Sequence, residues 1–187
     1  YFNYFDRSPI YISSLVDQTQ MITGNHYRLE TFGSTVSIPI SAVVLRSELL
    51  YHHNKSFNSF TGALSSFKSD QIVGVLGLDY IVGDRWRMGF QLSESFRTNT
   101  SVGELEKRSA QLATGHGSFT FLNSHVFDAL IAYAPHDGSS LTELSYTLPL
   151  SKRVDFMLAA DLFNGSSRSQ FGLYHPATRG YIQIKSY

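Results

Sequence analysis

The chain has 187 residues, a length that fits one folding unit at roughly 150 residues per domain. Charged residues make up 16% of it, against ~25% in typical soluble domains, while aromatics reach 14%, so its surface is poor in charge and rich in rings. Fifteen Lys plus Arg balance fifteen Asp plus Glu, which leaves no electrostatic footprint for nucleic acid, and the absence of cysteine excludes disulfides, Cys-based metal sites and a thiol nucleophile.

No run approaches the ~18 apolar residues of a membrane helix. The nearest, Ile72–Leu78 (IVGVLGL), is short and carries two glycines, so helical spanning is excluded. The sequence opens at Tyr1 without Met, a basic n-region or an apolar h-region, and reads as a processed mature chain or a fragment.

Along the chain, segments of about ten residues alternate in character and are separated by Gly, Ser, Asn, Asp and Pro. Ten strands are predicted, over 1–13, 26–38, 42–54, 70–82, 85–98, 107–121, 125–134, 141–149, 153–164 and 178–187, with no convincing helix. From Ala42 to Asn54 the pattern is less pure: Val43, Leu45, Ser47, Leu49 and Tyr51 share one face, with Arg46, Glu48 and His52 on the other together with Val44 and Leu50. The cleanest case is Arg85–Arg97, where Trp86, Met88, Phe90, Leu92, Glu94 and Phe96 oppose Arg85, Arg87, Gly89, Gln91, Ser93, Ser95 and Arg97. Val154–Asn164 repeats the pattern, with Phe156, Leu158, Ala160 and Leu162 set against Asp155, Met157, Ala159 and Asp161.

Connections alternate in length. Residues 38–41, 83–84, 122–124 and 149–152 read as tight turns, whereas 14–25, 55–69, 99–106, 135–140 and 165–177 are longer. Short turns at one end, long loops at the other, apolar outward faces and polar inward faces are the pattern of an antiparallel up-and-down transmembrane β-barrel of the outer membrane. A bilayer offers backbone amides no water, so β structure spans it only as a closed cylinder without edges. Tyr80 and Trp86 flank a tight turn and fit an interfacial aromatic girdle, with Tyr51 and Tyr133 at the opposite ends of their strands. The competing reading is a soluble antiparallel sandwich or barrel, which would need more outward charge.

Tyr146–Leu150 (YTLPL), Asp161–Gly165 (DLFNG), Phe171–Tyr174 (FGLY) and Arg179–Tyr187 (RGYIQIKSY) together resemble the end of a proteobacterial outer-membrane family, domain of unknown function thirteen-oh-two. Val44–Tyr51 (VLRSELLY) and Gln71–Tyr80 (QIVGVLGLDY) are similar to its arginine–glutamate strand and the strand after it. The resemblance implies a C-terminal portion of a larger barrel, set among outer-membrane lipid and lipopolysaccharide and associated with a resistance-nodulation-division exporter. No cofactor is expected. One departure concerns the end: Tyr187 is aromatic, but the positions in phase with it are Lys185 and Gln183, while Ile182 and Ile184 are out of phase. The expectation is a chain trimmed at both ends.

The expected lumen residues are Arg46, Glu48, Asp79, Arg85, Arg87, Gln91, Arg97, Asp155 and Asp161. In a pore such charges set ion preference, and their mixed signs imply weak selectivity. The alternative is a structural ion-pair network across the barrel interior. Among the seven histidines, His116 and Ser118 share a strand face at a spacing a nucleophile would need, as in outer-membrane lipid A deacylases, with Asp128 or Glu143 available to orient the imidazole. His52 and His53 alternate across faces and cannot bind one metal as a pair, and His136–Gly138 reads as a loop turn. Loop 165–177, with Arg168, Phe171, Tyr174 and His175, is either an inward-folded constriction or an exposed cap. Nucleotide and zinc-protease motifs are absent. The function expected is a porin-like or exporter-associated conduit with no bond made or broken; an outer-membrane lipid hydrolase and a purely structural barrel are the alternatives.

Overall fold

The computed structural model describes residues 2–6, 8–16, 19–103, 108–122 and 124–186. The chain is all-β, and the described strands are β1 (Phe2–Phe5), β2 (Ile10–Val16), β3 (Thr19–Asn25), β4 (Arg28–Ile40), β5 (Val43–Phe60), β6 (Leu64–Val82), β7 (Trp86–Arg97), β8 (Ser109–Phe121), β9 (His125–Ala134), β10 (Ser139–Ser151), β11 (Val154–Asn164) and β12 (Arg179–Ser186). A 3-10 turn covers Gly172–Ala177. Ten strands form one sheet in the linear order β1–β4–β5–β6–β7–β8–β9–β10–β11–β12, and β2 pairs with β3 as a separate hairpin. From β4 onward each strand lies beside its neighbour in sequence, which is an up-and-down meander.

Two expected turns are shorter than predicted: β4 runs on to Ile40 and β10 to Ser151, so the chain reverses at 41–42 instead of 38–41 and at 152–153 instead of 149–152. Between β4 and β5 the chain turns at Ser41, with φ of 56°, and between β6 and β7 at Gly83, also at 56°. A left-handed residue matches the twist of a tight hairpin, and glycine meets that need without a Cβ penalty. Pro149 in β10 donates no ladder hydrogen bond and adjoins a register shift between Pro149 and Ser151, the kind of position proline tolerates in a sheet.

Three expectations need correction. The predicted first strand, 1–13, is broken into β1 and β2, and residues 19–25 of the expected loop 14–25 form β3. Most of the expected loop 55–69 is strand, because β5 and β6 run on to Phe60 and from Leu64 and leave only residues 61–63 between them. Loop 165–177 contains helical turn where none was expected. Residues 104–107, Asn123 and Tyr187, which carry parts of the predicted loops and the terminal aromatic, lie outside the described residues.

Contacts group the chain into two compact units, one of Tyr1–Val36, Glu48–Gly74 and Glu94–Ala110, the other of Ser37–Ser47, Val75–Ser93 and Gln111–Tyr187. In the first, Ile10, Leu29 and Phe57 are buried together with Thr31, His52, Ser56, Ser59, Ser69 and Arg97. Here Asn58 Oδ1 accepts from the Tyr11 amide at 2.9 Å, and the Ser13 hydroxyl accepts from the Leu64 amide at 2.8 Å. In the second, the buried residues are Ala132, Ala134, Ser139, Asp161 and Ser169. Among the described residues, then, buried positions are mostly polar or small, the reverse of a soluble core.

Candidate functional site

The site is a face, and the register of the second unit defines it. Opposed residues of antiparallel strands present their side chains on the same side of the sheet. One row across β8–β12 is Ser118, Asp128, Ser145, Ala159, Tyr181, and the next in-phase row is His116, Leu130, Glu143, Asp161, Arg179. The alternate row is Phe119, Phe127, Tyr146, Leu158, Ile182. One side of this sheet therefore carries its charged and hydroxyl side chains, interspersed with Leu130, Ala159 and Tyr181, and the other is apolar.

β7 joins the same two faces. The Thr120 amide donates to the Arg85 carbonyl at 2.8 Å, and a Cβ added at Gly89 would fall within the His116 ring. Arg85, Gly89 and, between them, Arg87 thus share the polar face, with Arg87 level with Ser118. On the other face Trp86 stacks on Phe119 with centroids 4.1 Å apart, and Phe119 stacks on Phe121. The apolar face is left open: Leu76, Phe90, Ile131 and Ile184 are 62%, 51%, 52% and 67% exposed. An open groove of about 230 Å³ on this side is bordered by Phe127, Leu144, Tyr146, Leu158 and Ala160.

The residues expected to line a lumen do not all present free charge. Arg46 and Asp79 pair at 3.0 Å, and Gly77 gives their face room, lying in ordinary contact range of the Arg46 Cβ. Asp161 is buried and pairs with Arg179 at 2.9 Å, while Asp155 stands opposite Lys185 across β11 and β12. Glu48, Arg85, Arg87 and Gln91 are exposed. Arg97 departs furthest from expectation. It is 2% exposed, with its guanidinium 4.6 Å from the Phe57 ring and 5.8 Å from the Phe67 ring, so its charge is held between aromatic faces rather than offered to a solute.

Of the expected girdle residues, Tyr80, Trp86 and Tyr133 are exposed on the apolar side of their strands. Tyr51 is half-buried in a polar cluster of the first unit. Its hydroxyl donates to Asp70 Oδ2 at 2.7 Å, His53 Nδ1 lies 3.0 Å from Asp70 Oδ1, and the same oxygen accepts from the Asn54 amide at 2.9 Å. Asn54 has φ of 52°, so the carboxylate fastens a left-handed kink in β5. His52 points away from this cluster and meets Thr31 Oγ1 at 2.8 Å, which confirms that the two histidines alternate.

His116 and Ser118 share the polar face, and Ser118 stands opposite Asp128. Among the described residues no hydrogen bond joins His116 to Ser118, Asp128 or Glu143, and no group of three or more His, Asp or Glu is placed to hold a metal.

Loop 165–178 is a built element of the second unit. Asp137, in the β9–β10 turn, accepts from the Ser139 amide at 3.0 Å, the Ser139 hydroxyl at 2.6 Å and the Gln170 amide at 2.8 Å. Ser139 Oγ accepts from the Phe171 amide at 3.2 Å, and Ser169 Oγ accepts from the Gly172 amide at 3.1 Å. The Ser139 hydroxyl, aided by the Gln170 and Ser139 amides and by His136, holds the Asp137 carboxyl down at about 2 despite the opposing effect of desolvation. Tyr174 packs on Phe163 at 5.8 Å, and Phe163 is level with Leu141 and Ala132 on the polar face. The loop therefore folds toward that face. Sequence reasoning found the loop but not its clamp, and it passed over Asp128 and Glu143 as wall residues because their places, Asp128 level with Arg87 and Glu143 one in-phase row away, follow only from register.

In comparisons with known proteins, no family model, no curated protein and no solved structure matches the chain.

Proposed function

We propose that the chain forms the wall of an outer-membrane β-barrel that conducts polar solutes, as a porin-like channel or as the outer-membrane part of an exporter assembly, without making or breaking a bond. The observation that carries this reading is the contrast between the faces of the sheet: large apolar side chains lie exposed on one, while the charged and hydroxyl side chains, interspersed with residues such as Leu130, Leu141 and Ala159, lie on the other. In water such a face would be an aggregation liability, whereas in a bilayer it is the surface that lipid requires. The meander supplies backbone partners for every interior strand, and closure of its two edges, on each other or on further strands, would leave none unsatisfied. Diameter grows with strand number and eight strands are already filled by side chains, so a conduit for anything beyond ions needs a barrel of more strands than these ten.

In this reading loop 165–178, folded toward the polar face and clamped by Asp137, narrows the route. Lipopolysaccharide and outer-membrane lipid contact the apolar face, and an exporter would dock at one end of the barrel. The test is planar-bilayer recording of the full protein extracted in detergent. Discrete conductance steps, together with heat-modifiable gel mobility, are the expected result; a water-soluble monomer after native extraction would overturn the proposal.

A further inference from the structure

The polar face of the second unit separates its charges by sign. Two pairs are bonded, Arg46 with Asp79 and Asp161 with Arg179, and Asp155 stands opposite Lys185 in register. On this face, along β7–β10 and the turn that precedes β7, four charged side chains stand outside these pairings: Arg85 in that turn, Arg87 on β7, Asp128 on β9 and Glu143 on β10. Among the described residues none of the four has an ion-pair or hydrogen-bond partner, although Asp128 is half-buried. Between them runs β8, whose side chains on this face are His116, Ser118 and Thr120.

Arg87, Ser118 and Asp128 are level with one another, so the guanidinium strand and the first carboxylate strand are two strand spacings apart, about 9.5 Å at ~4.8 Å each. Among the described residues no ion pair or hydrogen bond crosses that gap, and it is short enough for one small molecule to bridge. It also lies within about one Debye length at 0.1 M salt, so a solute carrying a single charge is attracted by one pair and repelled by the other. A solute with a charge of each sign at its two ends gains both attractions, and the hydroxyls of Ser118 and Thr120 can serve the bonds between.

We infer that this face is a binding site for a small zwitterion, with the solute's carboxylate on Arg85 and Arg87, its ammonium on Asp128 and Glu143, and its middle over the β8 hydroxyls. The inference rests on the conduit reading and names its solute class. Bidentate hydrogen bonding by guanidinium favours a carboxylate or phosphate at the β7 end, whereas two carboxylates one strand apart favour an ammonium at the other.

The experiment is calorimetric titration of the full protein, folded in detergent, with 4-aminobutyrate, and with butyrate and butylammonium as single-charge halves. The zwitterion is expected to bind about tenfold tighter than either half. Arg87→Gln should bring its affinity down to that of butylammonium, and Asp128→Asn down to that of butyrate. The paired variant Asp79→Asn should leave the preference unchanged. Equal affinity for all three probes, or no binding to protein whose gel mobility shows it folded, would overturn the inference. Binding without conductance would uphold the site and reject the conduit, whereas conductance without zwitterion preference would do the reverse.

Discussion

Replacing Phe90 by arginine separates a lipid-facing wall from a water-facing one. Phe90 is 51% exposed on the apolar face of β7 and gives up little packing when removed. From Trp86 to Phe96 the strand advances ten residues, about 33 Å at ~3.3 Å per residue. Tilted by ~40°, as barrel strands are, that length rises ~25 Å, the height of the apolar band, and Phe90 falls near its middle. Arginine at that depth costs ~2–4 kcal/mol. At about 1.4 kcal/mol per tenfold, the folding constant drops about 30-fold to several hundred-fold. On a surface facing water the same exchange stays within about 0.5 kcal/mol. The assay is urea unfolding of the protein folded into phosphatidylcholine vesicles, followed by fluorescence of the single tryptophan, Trp86. Gln91→Arg, one residue on and on the polar face, is the control and should change little. If Phe90→Arg costs no more than Gln91→Arg, the apolar face does not meet lipid.

Other consequences concern the clamp and the kink. Because the Asp137 carboxyl sits at about 2, below its ordinary 3.8, its bonds stabilise the docked loop in full above 3.8, and that contribution is lost as pH falls from there through about 2. Protease cleavage within 165–178 should accordingly rise between pH 4 and pH 2 on a scale of about 1–2 pH units, and Asp137→Asn should make cleavage high and flat across the range; equal protection at both pH values would contradict the clamp. Gly172→Ala places a Cβ against the Ser166 carbonyl and the Gly165 backbone, contacts that cannot swing aside, and should cost about 1–3 kcal/mol and expose the same loop in the protease assay. Asp70→Asn removes the charged acceptor that fixes Asn54 and Tyr51, and amide hydrogen exchange at Asn54 should quicken at least tenfold while exchange in β9–β11 stays unchanged.

The alternation of β7 and β11 was legible because Trp86, Met88, Phe90 and Leu92, and Val154, Phe156, Leu158, Ala160 and Leu162, put apolar side chains at every second position over most of each strand, the period of a sheet with two unlike faces. The tops of β5 and β6 were not legible. Ser56, Asn58, Ser59, Ser65, Ser66 and Lys68 surround Phe57 and Phe67 there, and the kink at Asn54 shifts the phase, so period two fails while strand pairing continues. Arg97 read as a lumen charge from its place on the polar face of β7, yet Phe57 and Phe67 close over it, a contact fixed by residues 30 to 40 positions away in sequence. The separation of Arg85 and Arg87 from Asp128 and Glu143 escaped for a related reason. A list of signs along one chain reads as mixed, and only the register across β7–β10 shows them sorted.

The most direct test of the central claim uses the absence of cysteine from the chain. Single cysteines placed along β7 at Met88, Phe90 and Leu92, and at Arg87, Gln91 and Ser93, can be read one by one in protein folded into vesicles. The account predicts strict alternation: the first three are shielded from a water-soluble maleimide and quenched by a lipid-borne quencher when labelled in advance, whereas the second three react from water. Uniform labelling of all six, with no quenching by lipid, would contradict it.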